Sequence, residues 1–186
     1  MKRISTVLLL MIVTAAAAIA QEYKSFRVGT GLGYAMASGK GAKGGVLFYL
    51  EPGYRVNDQI LANLRMEAAV VGRGYATETS ASISVAALGS YTINGQYYFN
   101  NNNFRPFAGL GFGLYSLAAA SVTAGTTGGS STAVAAANKI GFYPRVGFDA
   151  GHFTLSLDYN LVPETSGIKN SYIGIRFGGF FGGGRK

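Results

Sequence analysis

The sequence predicts an all-β protein, an eight-stranded antiparallel up-and-down transmembrane β-barrel, on three observations. Apolar residues alternate with small or polar ones through most of the chain, the period of strands whose two faces meet different surroundings. The second face is not that of a soluble sheet. Between Phe104 and Leu117, one face carries Phe104, Pro106, Ala108, Leu110, Phe112 and Leu114, and the other Arg105, Phe107, Gly109, Gly111, Gly113 and Tyr115. Glycines beside an arginine and two aromatics suit an enclosed lumen, where a solvated face would carry Lys, Glu and Thr. Finally, 48% of the 186 residues are hydrophobic, yet no apolar run after the first twenty residues is long enough for a transmembrane helix.

Composition narrows the alternatives. With 28 Gly, 12 Tyr, 12 Phe and no Cys, close-packed strands are favoured, while a disulfide framework, a thiol nucleophile and a Cys-based metal site are excluded. The formal charge of +8 falls to +6 if Lys2 and Arg3 leave with a leader. The arginines are spaced singly along alternating segments and form no patch, so nucleic acid is not expected as a partner.

Residues 1–20 read as a cleavable signal peptide: a basic start, an apolar body from Val7 to Ile19, and the small-x-small signature Ala18, Ala20 before Gln21. Residues 21–186 are then the barrel domain. The first strand, Phe26 to Met36, points Arg27 inward, and the polar stretch 37–45 reads as a loop. Val46 to Val56 points Glu51 and Arg55 inward and Tyr54 outward. A tight connection at Asn57 and Asp58 leads to Ile60 to Val70, with Arg65 and Glu67 inward. After a loop over 73–81, Ser82 to Phe99 is read as one strand. Asn94-Gly95 is a strong hairpin signal, but alternation continues to Phe99, and Asn100 to Asn103 make the better turn.

Phe104 to Leu117 follows, then the Ala, Gly, Ser and Thr stretch 118–138, whose low apolar bulk predicts a mobile loop. Ile140 to Ala150 points Arg145 and Asp149 inward and Phe148 outward; Gly151-His152 forms a two-residue turn. Phe153 to Val162 points Asp158 inward. The loop 163–170 precedes Ser171 to Phe181, with Arg176 inward and Phe177 outward. Long odd-numbered connections and short even ones predict long loops outside the cell and short turns in the periplasm.

Tyr97-Tyr98-Phe99, the Asn-rich turn, Arg105-Pro106-Phe107 and Gly109-Leu110-Gly111-Phe112-Gly113 resemble the small eight-stranded outer-membrane barrels of the OmpX, OmpA-barrel and OmpW kind. The similarity is greatest to the single-domain outer membrane protein β-barrels common in Bacteroidetes, over roughly residues 23 to 181. It implies a Gram-negative outer-membrane address, with outer-membrane lipid, lipopolysaccharide and the barrel-assembly machinery as partners. It implies no activity, because such families include plugged barrels, adhesins and narrow channels. These barrels often end on an aromatic residue, whereas this chain ends Gly182 to Lys186, so Phe177 or Phe181 would stand in from just inside.

The inward charges Arg27, Glu51, Arg55, Arg65, Glu67, Arg105, Arg145, Asp149, Asp158 and Arg176 form a candidate lumen network, a polar plug together with Tyr49, Tyr98, Tyr143 and Tyr172. Turn lengths predict register: Ala150 opposite Phe153 and Arg145 opposite Asp158, Phe99 opposite Phe104 and Tyr98 opposite Arg105, Glu51 opposite Arg65. Arg145 and Asp158 are accordingly expected to be energetically coupled. Tyr54, Phe99, Phe104, Phe148, Phe153 and Phe177 should form an aromatic girdle at the periplasmic interface.

Two functions are open. One is a plugged barrel acting structurally or through its outer loops, where Lys40, Lys43, Arg73, Lys139 and Lys169 favour lipopolysaccharide or other polyanions, although solvation is the plainer reading of scattered lysines. The alternative is a narrow channel for small or apolar solutes. An enzyme is disfavoured: His152 is the only histidine, and Asp149 beside it makes no catalytic set. The GxGxxG match Gly39 to Gly44 lies between strands with no helix after it, so no cofactor is expected.

Overall fold

A chain that crosses hydrocarbon on strands must pair every backbone group, and the one arrangement without an edge is a ring. The computed structural model describes residues 22–38, 42–77, 80–125, 128–164 and 169–185. The expected signal, with Ala18, Ala20 and Gln21, lies outside them.

Eight strands follow in chain order: β1 Phe26–Ala37, β2 Ala42–Arg55, β3 Ile60–Thr77, β4 Ser80–Tyr98, β5 Phe104–Gly125, β6 Gly128–Ala150, β7 Phe153–Asn160 and β8 Tyr172–Gly182. Each pairs antiparallel with the next, and β1 closes onto β8 through the run from Arg27↔Gly182 to Ala37↔Tyr172. The alternation that suggested strands also sorts their faces. Leu110 is 69% exposed, Ile140 71% and Phe181 73%, whereas the interleaved Arg65, Tyr143 and Arg176 are all at 0%. A wall with its large apolar side chains outside and its charges inside is the inverse of a soluble core.

The Asn94-Gly95 signal is overridden: β4 runs through it, with Asn94 opposite Gly111 and Gly95 opposite Leu110. Two continuous neighbours, β3 and β5, satisfy its backbone on both sides, and that outweighs a local turn preference. At Gly151-His152 the turn is as short as expected, with Gly151 at φ +60° and Ala150 opposite Phe153.

Two expectations need correction. The stretches 37–45, 73–81 and 118–138 are largely strand, since β2 starts at Ala42, β3 and β4 reach Thr77 and Ser80, and β5 and β6 reach Gly125 and Gly128. Ladder hydrogen bonds need no bulky side chains, and alternating Ser, Thr, Val and Ala tolerate the extended backbone. The asymmetry between the two ends survives as hairpin height: β5 and β6 have 22 and 23 residues, against 8 for β7. Around the Asn-rich turn the register differs by two residues, with Tyr98 opposite Phe107 and not Arg105. A two-residue slip keeps every side chain on its own face, so alternation cannot detect it.

Candidate functional site

The alternating pattern gathers charge in the lumen, and the strands deliver it in tiers. Odd-numbered positions of β1, β2, β3, β5 and β6 and even-numbered positions of β4, β7 and β8 face inward, so Arg27, Glu51, Arg55, Arg65, Glu67, Arg105, Arg145, Asp149, Asp158 and Arg176 all enter the same enclosed space, each at 6% exposure or less.

At the short-turn mouth, the guanidiniums of Arg55 and Arg105 lie over the rings of Tyr23 and Tyr98. Arg105 Cζ is 3.9 Å from the Tyr23 centroid and 4.2 Å from that of Tyr98. One level in, Arg27 pairs with Asp149 at 2.6 Å and stacks on Phe180 at 3.8 Å. The Tyr98 and Thr154 hydroxyls donate to the two oxygens of that carboxylate, at 2.7 and 2.6 Å.

In the middle tier Arg145 donates to Glu51 and, at 3.0 Å, to Ser156 Oγ; Asn94 also donates to Glu51 at 3.1 Å. The next tier is a four-charge cluster. Arg176 Nε donates to Glu67 at 2.7 Å, and Nη1 donates to Asp158. Arg65 lies 3.5 Å from Asp158 and 3.8 Å over the Tyr143 ring. Tyr172 donates to Glu67 and Asn160 to Asp158, both at 2.6 Å. Toward the long hairpins the filling turns apolar, with Ala35, Leu47, Ala69, Val71, Leu88 and Val162 packed with Tyr49, Tyr115 and Tyr172.

Register is as the turns foretold at two places. Arg145 stands opposite Asp158, and the runs flanking Glu51 and Arg65 hold those two in the same alignment. The ion pairs nevertheless do not follow it, which corrects the expected Arg145 and Asp158 partnership. Arg145 reaches Glu51, while Asp158 is taken by Arg176 and Arg65. In a narrow cylinder long side chains project radially, so the opposite wall is as near as the adjacent strand. The pairs Arg27 with Asp149, Arg145 with Glu51 and Arg176 with Glu67 all cross the lumen.

Tyr54, Phe99, Phe104, Phe153 and Phe177 face outward and are exposed, and Phe148 is half-buried with its ring 4.8 Å from that of Phe104. Tyr54, Phe99, Phe104, Phe148 and Phe153 lie close to strand ends at the short-turn mouth, while Phe177 sits further from it, opposite Leu32 and Leu155. His152 is exposed on the β6–β7 turn, its ring 5.2 Å from Phe180, whereas Asp149 is turned into the lumen. The glycine motif starting at Gly39 falls partly outside the described residues and runs into β2.

The sequence reading missed Tyr23 and Asp58. The Asp58 carboxylate accepts the backbone N–H of Glu22 at 3.0 Å and of Tyr23 at 3.1 Å, folding the segment before β1 across the mouth. Tyr23 has the same inward parity as Arg27, so continuing the alternation back past Ser25 would have found it.

No curated protein matches the chain in sequence. Among solved structures, Ail, the attachment invasion locus protein of Yersinia pestis, is similar at 15% identity, covering 84% of this chain and 99% of its own, with a TM-score of 0.54. The outer membrane protein OprG of Pseudomonas aeruginosa is similar at 14% identity (87% and 98% covered, TM-score 0.48), and Neisserial surface protein A at 20% (83% and 94%, TM-score 0.46). Residues 5–181 match the outer membrane protein beta-barrel domain, and with its closed eight-stranded wall, apolar outside and charged within, the chain belongs to that family of Gram-negative outer-membrane barrels.

Proposed function

We propose that the protein is a sealed barrel that works at its outer end, presenting the extended β3–β4 and β5–β6 hairpins and their neighbouring loops as an attachment or partner-binding surface. The observation that carries this reading is the filled lumen. Arg55, Arg65 and Arg176 at 0% exposure, and Tyr172 at 1%, leave no solvent at those levels for a solute to follow. A barrel of eight strands is narrow enough for side chains to close it.

The tall hairpins then point outside and the short turns into the periplasm, with Tyr54, Phe99, Phe104, Phe148 and Phe153 near the inner interface. At the outer end Lys43 and Lys169 are exposed, which suits lipopolysaccharide or another polyanion as ligand. The reading makes the protein a binding and structural component, not an enzyme.

In planar bilayers the intact chain should give no steady conductance, and a reproducible conductance would favour a narrow channel instead. In zwitterionic nanodiscs, the chain should be retained on immobilised lipopolysaccharide or heparin. Excising Ala119 to Val134, which face each other across the β5–β6 ladder, or neutralising Lys43, Lys139 and Lys169 together, should end retention while heat-modifiable migration persists. Retention unchanged in both variants refutes binding at the outer end.

A further inference from the structure

We infer that the outer wall between β6, β7 and β8 carries a seat for one acyl chain of a membrane lipid, formed where Pro144 interrupts the ladder. The inference depends on the lipid-facing wall and is independent of any binding at the outer end.

Proline lacks the N–H that a strand offers its neighbour, so inside a closed wall it leaves a local fault. β6 and β7 pair from Ala150↔Phe153 to Arg145↔Asp158, and the same register resumes only at the isolated bridge Phe142↔Leu161. Phe142 N–H donates to Leu161 O at 3.2 Å and Leu161 N–H to Phe142 O at 2.8 Å. In an antiparallel ladder such exchanges recur every second residue, so the next would join Pro144 and Tyr159. Pro144 has no hydrogen to donate, and the Tyr159 carbonyl receives none from that position of β6.

At that fault the wall is hollowed. A cavity of about 280 Å³ is lined by Pro144, Val146, Leu157, Tyr159 and Ile173, with Arg145 and Asp158 between them. The side chains of Arg145 and Asp158 turn inward to their ion pairs, each at 2% exposure, so the hollow has no charge on its walls. Its other five residues face outward and are exposed. The hollow is continuous with the hydrocarbon-facing wall: Leu110 stands opposite Pro144 on β5, and Phe142 and Val146 flank it on β6. A methylene chain is the chemistry that an apolar recess opening onto hydrocarbon takes. Lipid tails are as apolar as the lining, so the gain is the close van der Waals contact that an unfilled recess forfeits.

The chain has no tryptophan, so an introduced one is its only indole. The test places it at Phe142, beside the hollow, or at Phe48, an exposed outward residue of β2. Each refolded variant, in micelles of an uncharged detergent, is titrated with dibrominated phosphatidylcholine, whose brominated chains quench indole fluorescence on contact. Phe142→Trp should reach half-quenching at a lipid fraction about ten-fold lower than Phe48→Trp. Two changes in the Phe142→Trp background should bring half-quenching up to the Phe48→Trp value: Leu157→Phe, which fills the hollow, and Pro144→Val, which restores the missing donor. Heat-modifiable migration checks that each variant is folded. The inference is overturned if the two tryptophans quench together, or if Phe142→Trp quenches less than Phe48→Trp, as a second copy of the chain covering the hollow would cause. It is equally overturned if early quenching persists in the folded Leu157→Phe variant.

Discussion

Removing Arg145 should destabilise the barrel through Glu51, on the opposite wall, and not through Asp158, its neighbour in the ladder. Arg145 gives one donor to Glu51 and one to Ser156, and without it Glu51 keeps only the 3.1 Å bond from Asn94. A buried charge left without its partner costs roughly 3 to 5 kcal/mol, so Arg145→Ala should lose about that much. Glu51→Gln keeps an acceptor for Arg145 and Asn94 and should cost less, about 1 to 3 kcal/mol, the range for losing a hydrogen bond to a charged group. Once Glu51 is neutral, most of the Arg145→Ala penalty disappears, giving a coupling energy of about 2 kcal/mol, within the range seen for residues in contact.

The control is Asp158→Asn. Asp158 is opposite Arg145 in register but paired with Arg176 and Arg65, so its coupling to Arg145 should stay within about 0.5 kcal/mol, the scatter of independent sites. Urea unfolding of the refolded chain in micelles supplies the four free energies of each cycle. Additivity between Arg145 and Glu51, or a larger coupling to Asp158 than to Glu51, would refute the cross-lumen assignment.

Two further outcomes follow from the wall itself. A methyl group at Gly111 would collide with the buried Tyr143 ring, so Gly111→Ala should cost about 1 to 3 kcal/mol in the same unfolding assay, and Gly111→Ala combined with Tyr143→Phe should recover little because the ring remains. Leu110 is 69% exposed on the outer face of β5, so Leu110→Arg should destabilise the barrel in lipid vesicles by about 2 to 4 kcal/mol, whereas Asn102→Arg on the exposed turn should be near neutral. Equal effects at the two positions would be inconsistent with a lipid-facing β5 wall.

The architecture was legible because it rests on parity. Each inward charge, from Arg27 to Arg176, could be assigned to the lumen by counting in twos, and the Gly151-His152 turn fixed the register of β6 on β7 without any other information. Three kinds of fact are invisible to that count. A slip of two residues at the Asn-rich turn leaves every face unchanged, so Tyr98 opposite Phe107 reads the same as Tyr98 opposite Arg105. The reach of β5 and β6 to Gly125 and Gly128 depends on backbone pairing, to which the low hydrophobicity of Ala, Ser and Thr is no obstacle. The choice of ionic partner depends on the width of the cylinder, and strand order alone does not encode how far a guanidinium reaches.

The two end segments of the described chain meet at the same rim. Lys24 N–H donates to Gly184 O at 2.9 Å, Gly183 N–H donates to Phe26 O at 2.8 Å, and Gly182 and Gly183, at φ +70° and +59°, bend the strand that follows β7 across to its partner. A chain trimmed to residues 22–185 would have neighbouring ends, which suits it to circular permutation. A short linker across that gap would let new ends be opened at the tip of a tall hairpin, and a fused peptide placed there would be displayed on the far side of the wall from the join.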